Sequence, residues 1–376
     1  MRAAGVPSRF RRTRAALLLA LVAGLALSGC QSAAHGGADP AVAQTQLAPL
    51  DELTPLADPT SWEGPSTAVI GGPSFVLDAE PMTPQLPVTV MSKDREGDRE
   101  ITVTDTSRVL ALSLTGTLAE LVDAYGLADS LVGRDVSTEL PNLVHLPVVT
   151  RDGHSLDPEA VLSLNPSLIL TDGSIGPVDV LLQLRDAGVP VVMVTRPIDA
   201  ESTYETATQI AEALGVAPLA DALVPQLKQA IADKEAEVAE LLPADASKLP
   251  RVAFLYVRGT AGIYYLFGEG SGIDSTIRSL GARDAASEIG WKGEKPMTDE
   301  ALVALDPDII IVMTKGLESA GGVDGLLAAQ PSIALTVAGE HRRIIDVDDA
   351  LLFAGGTRIP DVIDGLARAV YAPDSL

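Results

Sequence analysis

Tyr256 and Arg258 stand two residues apart in the segment 251–258 (RVAFLYVR). The run is apolar and β-branched enough to form a strand. Alternate side chains of a strand share a face, so the phenol and the guanidinium point the same way. Two residues of rise separate their Cα atoms by about 7 Å, which lets the guanidinium lie against the phenol oxygen. A nearby cation favours phenolate and lowers a tyrosine pKa. Phenolate is a hard anionic ligand suited to Fe(III), and His154, in TRDGHS (150–155), can give a nitrogen to the opposite face of the same iron. Each residue also has a plainer reading. Tyr256 can be a packed strand residue with its hydroxyl satisfied, and His154 can cap a helix start or face water. Spacing alone leaves both readings open.

A third strand end, 312–316 (VMTKG), carries Met313, which either lines a pocket or packs in the core. Tyr264 and Tyr265 either cover a ligand or pack in their lobe. The chain has only six Tyr and two Trp, so each position matters. No G-x-S-x-G, Walker loop or H-E-x-x-H motif occurs, and Ile273 breaks the dinucleotide fingerprint that Gly268, Gly270 and Gly272 begin. Catalysis therefore has no constellation to rest on.

The elements that must position these residues follow from periodicity. From Ser107 onward, strand-like runs at 108–114, 130–133, 146–149, 167–171 and 190–195 alternate with helical stretches at 118–126, 158–164 and 178–187. This alternation predicts a parallel sheet covered by helices. The stretch 219–242 predicts one long helix of about 35 Å, kinked or begun at Pro225. The α/β pattern then restarts at Arg251. The expected fold class is α/β, with two Rossmann-like lobes of parallel sheet, one long helix between them and a ligand cleft where they face. The expected divisions are 1–29 leader, 30–104 tether with a β-hairpin, 105–217 first lobe, 218–248 linking helix and 249–376 second lobe.

The two lobes repeat each other. Residues 156–171 (LDPEAVLSLNPSLILT) align without gaps on 297–312 (MTDEALVALDPDIIIV), so that Leu156 falls on Met297 and Thr171 on Val312. Asp157 and Thr298 read as N-caps, with Glu159 and Glu300 in the first turn. Pro166 and Pro307 end each helix. The repeat partner of His154 is Lys295, so the lobes differ where a ligand would sit.

Charge and cysteine usage narrow the class. The chain carries 27 Lys and Arg against 51 Asp and Glu. Five of the Arg lie within 1–14, which leaves 22 cations against 51 acids, a net −29, in the remainder. Such a body repels phosphate backbones, so nucleic acid is excluded as a partner. One cysteine, Cys30, and four histidines rule out a disulfide and a Cys- or His-rich metal cage. The basic start is followed by an uninterrupted apolar run over 15–27, too short to span a bilayer but suited to a signal peptide.

The segment ending that run, Leu27-Ser28-Gly29-Cys30, resembles the lipobox of bacterial lipoproteins, in which the cysteine thiol takes a diacylglycerol and becomes the new N-terminus. Lipobox, tether and two lobes on one helix together resemble the substrate-binding lipoproteins of ABC importers. GRDVST (133–138), LPVVTRDGHSL (146–156), TDGSIGP (171–177) and FLYVRGTAGIYYLFGEGSGIDS (254–275) resemble the haem-binding lipoproteins of actinobacterial importers. The resemblance covers roughly residues 105–376. It implies ferric haem as cargo, His154 and Tyr256 as axial ligands, and Arg258 bonded to the tyrosine. Met313, Tyr264, Tyr265 and Lys295 are the candidate pocket lining. It also implies that Glu159 and Glu300 dock on the two permease subunits of an importer driven by its ATPase. The protein would be a monomer, lipid-anchored at Cys30 to the extracytoplasmic face of the cell membrane, and not an enzyme. A ferric-siderophore or corrinoid binder of the same fold is the alternative, and a lipid-anchored enzyme on an α/β scaffold a more distant one.

Overall fold

The computed structural model describes residues 47–71, 75–151, 154–259, 264–353 and 355–376. Residues 1–29, expected as a leader, and Cys30 lie outside the described residues. From residue 47 on, the stretch expected as a tether is built into the body. It supplies strand β1 (Ser66–Ala68) and an antiparallel hairpin of β2 (Val88–Ser92) and β3 (Arg99–Val103), in register from Val88↔Val103 to Ser92↔Arg99. The hairpin is fastened to the first lobe by a half-buried ion pair, Arg185 Nη1 to Asp94 Oδ2 at 2.5 Å.

The first lobe runs β4 (Val109–Leu112), α1 (Thr117–Ala124), β5 (Thr150–Arg151), β6 (Ser155–Leu156), α2 (Pro158–Ser163), β7 (Leu168–Thr171), α3 (Val178–Asp186), β8 (Val191–Met193) and α4 (Ala200–Ala213). Its sheet is parallel in the order β4-β7-β8. Every residue of these three strands is buried, as expected of a sheet covered on both faces. The segments 130–133 and 146–149, expected as strands, make only single bridges, Val109↔Leu131 and Arg134↔Val148. Pro147 lacks a donor for a longer ladder there.

Helix α5 (Ala217–Ala239) links the lobes and passes through Pro225 without ending. Leu219, Leu223, Leu227 and Ile231 recur every fourth residue and are buried, the stripe that a helix on a core presents. The second lobe runs β9 (Arg251–Val257), β10 (Tyr264–Phe267), α6 (Ile273–Ser279), β11 (Arg283–Asp284), α7 (Ala285–Glu288), β12 (Glu294–Pro296), α8 (Asp299–Leu305), β13 (Ile309–Met313), α9 (Thr314–Ser319) and β14 (Ile344–Val347), and closes with a helix at Ile359–Tyr371. Its sheet order is β1-β14-β13-β9-β10-β12, with β11 beside β9. β1, β14, β13 and β9 are parallel, whereas β10 and β12 are antiparallel. The sheet is thus mixed rather than parallel throughout. The link from Val257 to Tyr264 is too short for a crossover, so β10 must fold back on β9.

The internal repeat is carried by backbone as well as sequence. Helices α2 and α8, and strands β7 and β13, start at positions that coincide in the gapless alignment of the two lobes. Asn165 and Asp306, which also coincide, both take left-handed backbone, with φ 46° and 45°. In the first lobe Arg108 Nε donates to the carbonyls of Leu164 and Asn165 at 3.0 and 3.1 Å. In the second, Arg251 Nη1 donates to Leu305 and Asp306 at 2.8 and 2.9 Å. The same arginine backbones also pair with Ser167 and Asp308. These matched contacts pin each helix end to the start of its lobe's first strand.

The lobes also meet away from α5. Glu120 of α1 is buried and accepts a hydrogen bond from Thr357 Oγ1 at 2.5 Å, while Gly356 N–H donates to Thr203 Oγ1 of α4 at 3.3 Å. Gly356 has φ +77°, and a Cβ there would press on Thr117 Cγ2 at 2.9 Å, so only glycine fits. Burial pushes Glu120 up to about 7, against the lowering by Thr357 and the Arg358 charge and with a further rise from Asp361. A carboxyl whose folded pKa exceeds its unfolded value takes up a proton on folding. Its contribution is therefore fullest below pH 4.5 and is lost as pH rises toward 7, on the order of 3 kcal/mol. Glu120→Gln keeps the acceptor for Thr357 without the charge. Urea denaturation at pH 5 and pH 8 should show the wild-type chain losing stability at the higher pH and the variant nearly level.

Candidate functional site

Strand β9 sorts its side chains by parity. Ala253, Leu255 and Val257 enter a core shared with Leu302 and Ile310, whereas Val252, Phe254 and Tyr256 face the other way. Phe254 packs edge-on against Phe267 and Phe353, with ring centroids 4.9 and 5.5 Å apart. These rings fill the face below Tyr256. Tyr256 itself, near the strand's C-terminal end, is half-buried. Arg258 is exposed, with Nη1 3.5 Å from the Tyr256 hydroxyl oxygen, a long contact.

Tyr265 registers directly opposite Tyr256 on the antiparallel neighbour, and directly paired residues share a face. Their ring centroids lie 6.4 Å apart at 76°, an edge-to-face pair. Met313 is two positions past Ile311, which registers on Phe254, so it stands beside Tyr256 on the adjacent strand. The structure thus gathers Tyr256, Arg258, Tyr265 and Met313 at one strand end.

Two of the expected lining residues go elsewhere. Tyr264 is 1% exposed; its hydroxyl donates to Asp299 Oδ1 at 2.9 Å and bonds with Ser332 Oγ at 3.3 Å. Burial, with Asp299 beside it, pushes Tyr264 up to about 12. It is a core residue because pleating turns it away from Tyr265. Lys295 registers on Leu266, which shares the Tyr264 face, and its Nζ lies 6.0 Å from the Trp291 ring centroid. Trp291 is fixed there by Nε1 donating to the Leu266 carbonyl at 3.0 Å. Lys295 and Trp291 are therefore on the far face of the sheet from Tyr256.

His154 belongs to the first lobe, in the turn between β5 and β6. The hairpin is tied to the C-terminal edge of the parallel sheet: Leu156 N–H donates to Gly176, just beyond β7, at 2.7 Å. Arg151 pairs with Asp157 at 2.6 Å, and Asp157 caps α2 through Glu159 N–H and Ala160 N–H. His154 has its pKa lowered by desolvation, which favours the neutral imidazole with a free lone pair. Both Tyr256 and His154 thus ride on strand C-terminal edges, where ligands of open α/β sheets bind. Sequence reasoning missed Phe353, which backs Phe254 from a distant part of the chain. No local pattern marks it.

Two cavities among the described residues hold none of Tyr256, Arg258 and His154. One of about 70 Å³, bordered by Ile231, Ile273, Phe353 and Ile363, has room only for a few waters. A groove of about 780 Å³ runs along Gln85–Met91 beside Gln209 and Glu212 and holds none of the candidate ligands. Among the described residues no group of His, Cys, Asp and Glu could hold a metal ion by itself.

A model of the family described as periplasmic binding protein matches residues 111–351. Among solved structures, the haem-binding protein HmuT is 34% identical over 84% of this chain and 99% of its own, with a TM-score of 0.75. HmuT has also been solved with a tyrosine, a histidine or an arginine replaced by alanine, that tyrosine and arginine standing two residues apart. The periplasmic haem-binding protein RhuT of Roseiflexus sp. RS-1 is 34% identical over 72% of this chain and 99% of its own, with a TM-score of 0.63. The ABC transporter substrate-binding lipoprotein YvrC of Bacillus subtilis is 29% identical over 81% of this chain and 92% of its own.

The division of labour between the adjacent tyrosines is open to test. Tyr264→Phe removes a buried hydroxyl but leaves Asp299 bonded to Ser332, so it should cost about 1 kcal/mol in urea denaturation. Tyr265→Phe, at a half-exposed ring, should leave the denaturation midpoint unmoved.

Proposed function

The chain belongs to the periplasmic binding protein family, and on that premise we propose that it is the haem-binding component of an ABC importer, with Tyr256 and His154 as axial ligands of a ferric haem. The observation that carries this is the Tyr256–Arg258 pair at the end of β9, with the guanidinium on the phenol oxygen. Family members bind substrates rather than transform them, and this chain is read as a binding protein and not an enzyme. The relatives HmuT and RhuT are haem-binding by name, and the Tyr-x-Arg spacing here agrees with the pair replaced in HmuT.

The chemistry follows from charge. Ferric haem carries a net positive iron centre that a phenolate neutralises and bonds at once. Arg258, with Nη1 3.5 Å from the phenol oxygen, would place a cation beside the oxygen that bonds the iron. The exposed His154, its pKa lowered by partial desolvation, would supply a nitrogen without adding charge. Tyr265 and Met313 would then flank the macrocycle. A siderophore or corrinoid cleft would need cations or aromatics but no such axial pair. In this reading Cys30 carries the lipid that holds a monomer on the extracytoplasmic face of the membrane, and the exposed Glu159 and Glu300 meet the permease pair that the ATPase drives.

Soluble protein from haem-supplied cells should show the visible spectrum of a tyrosinate-ligated ferric haem; a colourless protein with no haem titration sinks the proposal. Tyr256→Phe should erase the phenolate-to-iron band in resonance Raman and weaken binding more than His154→Ala does. Arg258→Ala should keep both ligands and weaken binding roughly 10–100-fold, the usual cost of losing a group that supports a metal ligand. For the anchor, Cys30→Ala should abolish incorporation of labelled fatty acid while haem binding survives; continued labelling would assign the lipid elsewhere.

A further inference from the structure

Glu159 and Glu300 are not the only exposed features that the repeat duplicates. One helical turn on from each acid, at i+3, stands an exposed aliphatic residue: Leu162 on α2, 50% exposed, and Val303 on α8, 37% exposed. These two also coincide in the gapless alignment of the lobes, and i+3 spacing puts each on the same helix face as its acid. The inward side of each helix is already filled, by Val161 in one lobe and by Leu302 and Leu305 in the other. Nothing in the packing of either lobe therefore requires an apolar residue at 162 or 303.

The pose of both helices is fixed by the same device. Arg108 and Arg251 hold the carbonyls at the C-terminal ends of α2 and α8, and a left-handed residue follows each helix. A helix that leads into a parallel strand runs antiparallel to it. Its first turn, with the acid, therefore lies at the C-terminal edge of the sheet, on the cleft side. Each lobe thus presents one carboxylate and one aliphatic side chain on a clamped helix, in the same relative arrangement.

We infer that Leu162 and Val303 are the apolar contact points of a two-point docking face whose polar points are Glu159 and Glu300, and that its occupant is a two-fold membrane permease offering, on each subunit, an apolar socket beside a cation. The inference rests on the reading of the chain as an importer's binding component. Duplicated patches on a pseudo-two-fold body match a partner with two equivalent subunits. The exposed carboxylates ask for cations, and the aliphatic residue beside each supplies the apolar area that a rim ion pair alone lacks. Clamping by the arginines presents both points without an ordering cost on binding.

The test uses the haem-loaded chain and the permease–ATPase complex of the same importer in lipid nanodiscs, with association read by biolayer interferometry. Leu162→Ser with Val303→Ser should weaken association about tenfold, and either change alone about threefold. The haem spectrum and thermal midpoint should be unchanged in all three variants. Glu159→Lys with Glu300→Lys is measured alongside. If the acid pair matters and the aliphatic pair does not, the inference fails while acidic docking stands. If neither pair matters, docking through these helices fails altogether. Loss from only one of the two aliphatic changes overturns the two-point arrangement. Sedimentation of the chain alone closes the test: a dimer that Leu162→Ser with Val303→Ser abolishes would assign the patch to a second copy and overturn the inference.

Discussion

Side-chain alternation along Arg251–Val257 is the constraint from which the candidate site and the second lobe's core both follow. Because β9 is central in its sheet, with β13 on one side and β10 on the other, its odd residues can be wholly buried. Its even residues build an aromatic face that ends in Tyr256. The same pleat that packs Leu255 under the helices lifts the phenol toward the strand end. Arg258, two residues on and just past the strand, brings Nη1 to 3.5 Å from the phenol oxygen. The antiparallel return of β10 adds Tyr265 to the same face and commits Tyr264 to the core.

The body around that strand is tied together at several points. Helix α5 joins the lobes along one side. The segment 66–103 begins as an edge strand beside β14 and ends as a hairpin fastened to the first lobe through Asp94 and Arg185. The contact of Glu120 with Thr357 adds a third link, made of a carboxyl that burial keeps close to its neutral form. On the proposed reading, in which each lobe gives the iron one ligand, such ties would help to hold the two groups at a set separation. The repeat extends the economy: one strand–arginine–helix unit, used twice, gives both lobes the same scaffold and the same outward acid.

Much of this was legible in the residues. The helix–strand alternation, the gapless repeat and the caps at Asp157 and Thr298 are local patterns, and local hydrogen bonding enforces them. The misreadings cluster where pairing is non-local. Residues 130–133 and 146–149 have strand composition, yet each finds only a single bridge. Ser66–Ala68 looked like part of a linker because so short a run carries no periodicity. It becomes a strand only because β14, close to the other end of the chain, offers an open edge.

The two tyrosines mark the boundary most clearly. That Tyr264 and Tyr265 point opposite ways, and that Tyr256 and Arg258 point the same way, is fixed by the pleat of a single chain and needs no partner. Which of the two tyrosines joins Tyr256 is a matter of register, and register is set by pairing β10 against β9 over a core that the strand alone does not specify. Lys295 repeats the lesson: extending the alignment of the lobes puts it at the position of His154, but the antiparallel ladder puts it near Trp291 on the far face. The sequence by itself determined the helices, the duplication and the Tyr-x-Arg pair, because these depend on neighbours within a few residues. Only the tertiary structure decided which face of β9 is sealed and which leads to Tyr256, since a face becomes inside or outside only when helices and distant strands close over the other one.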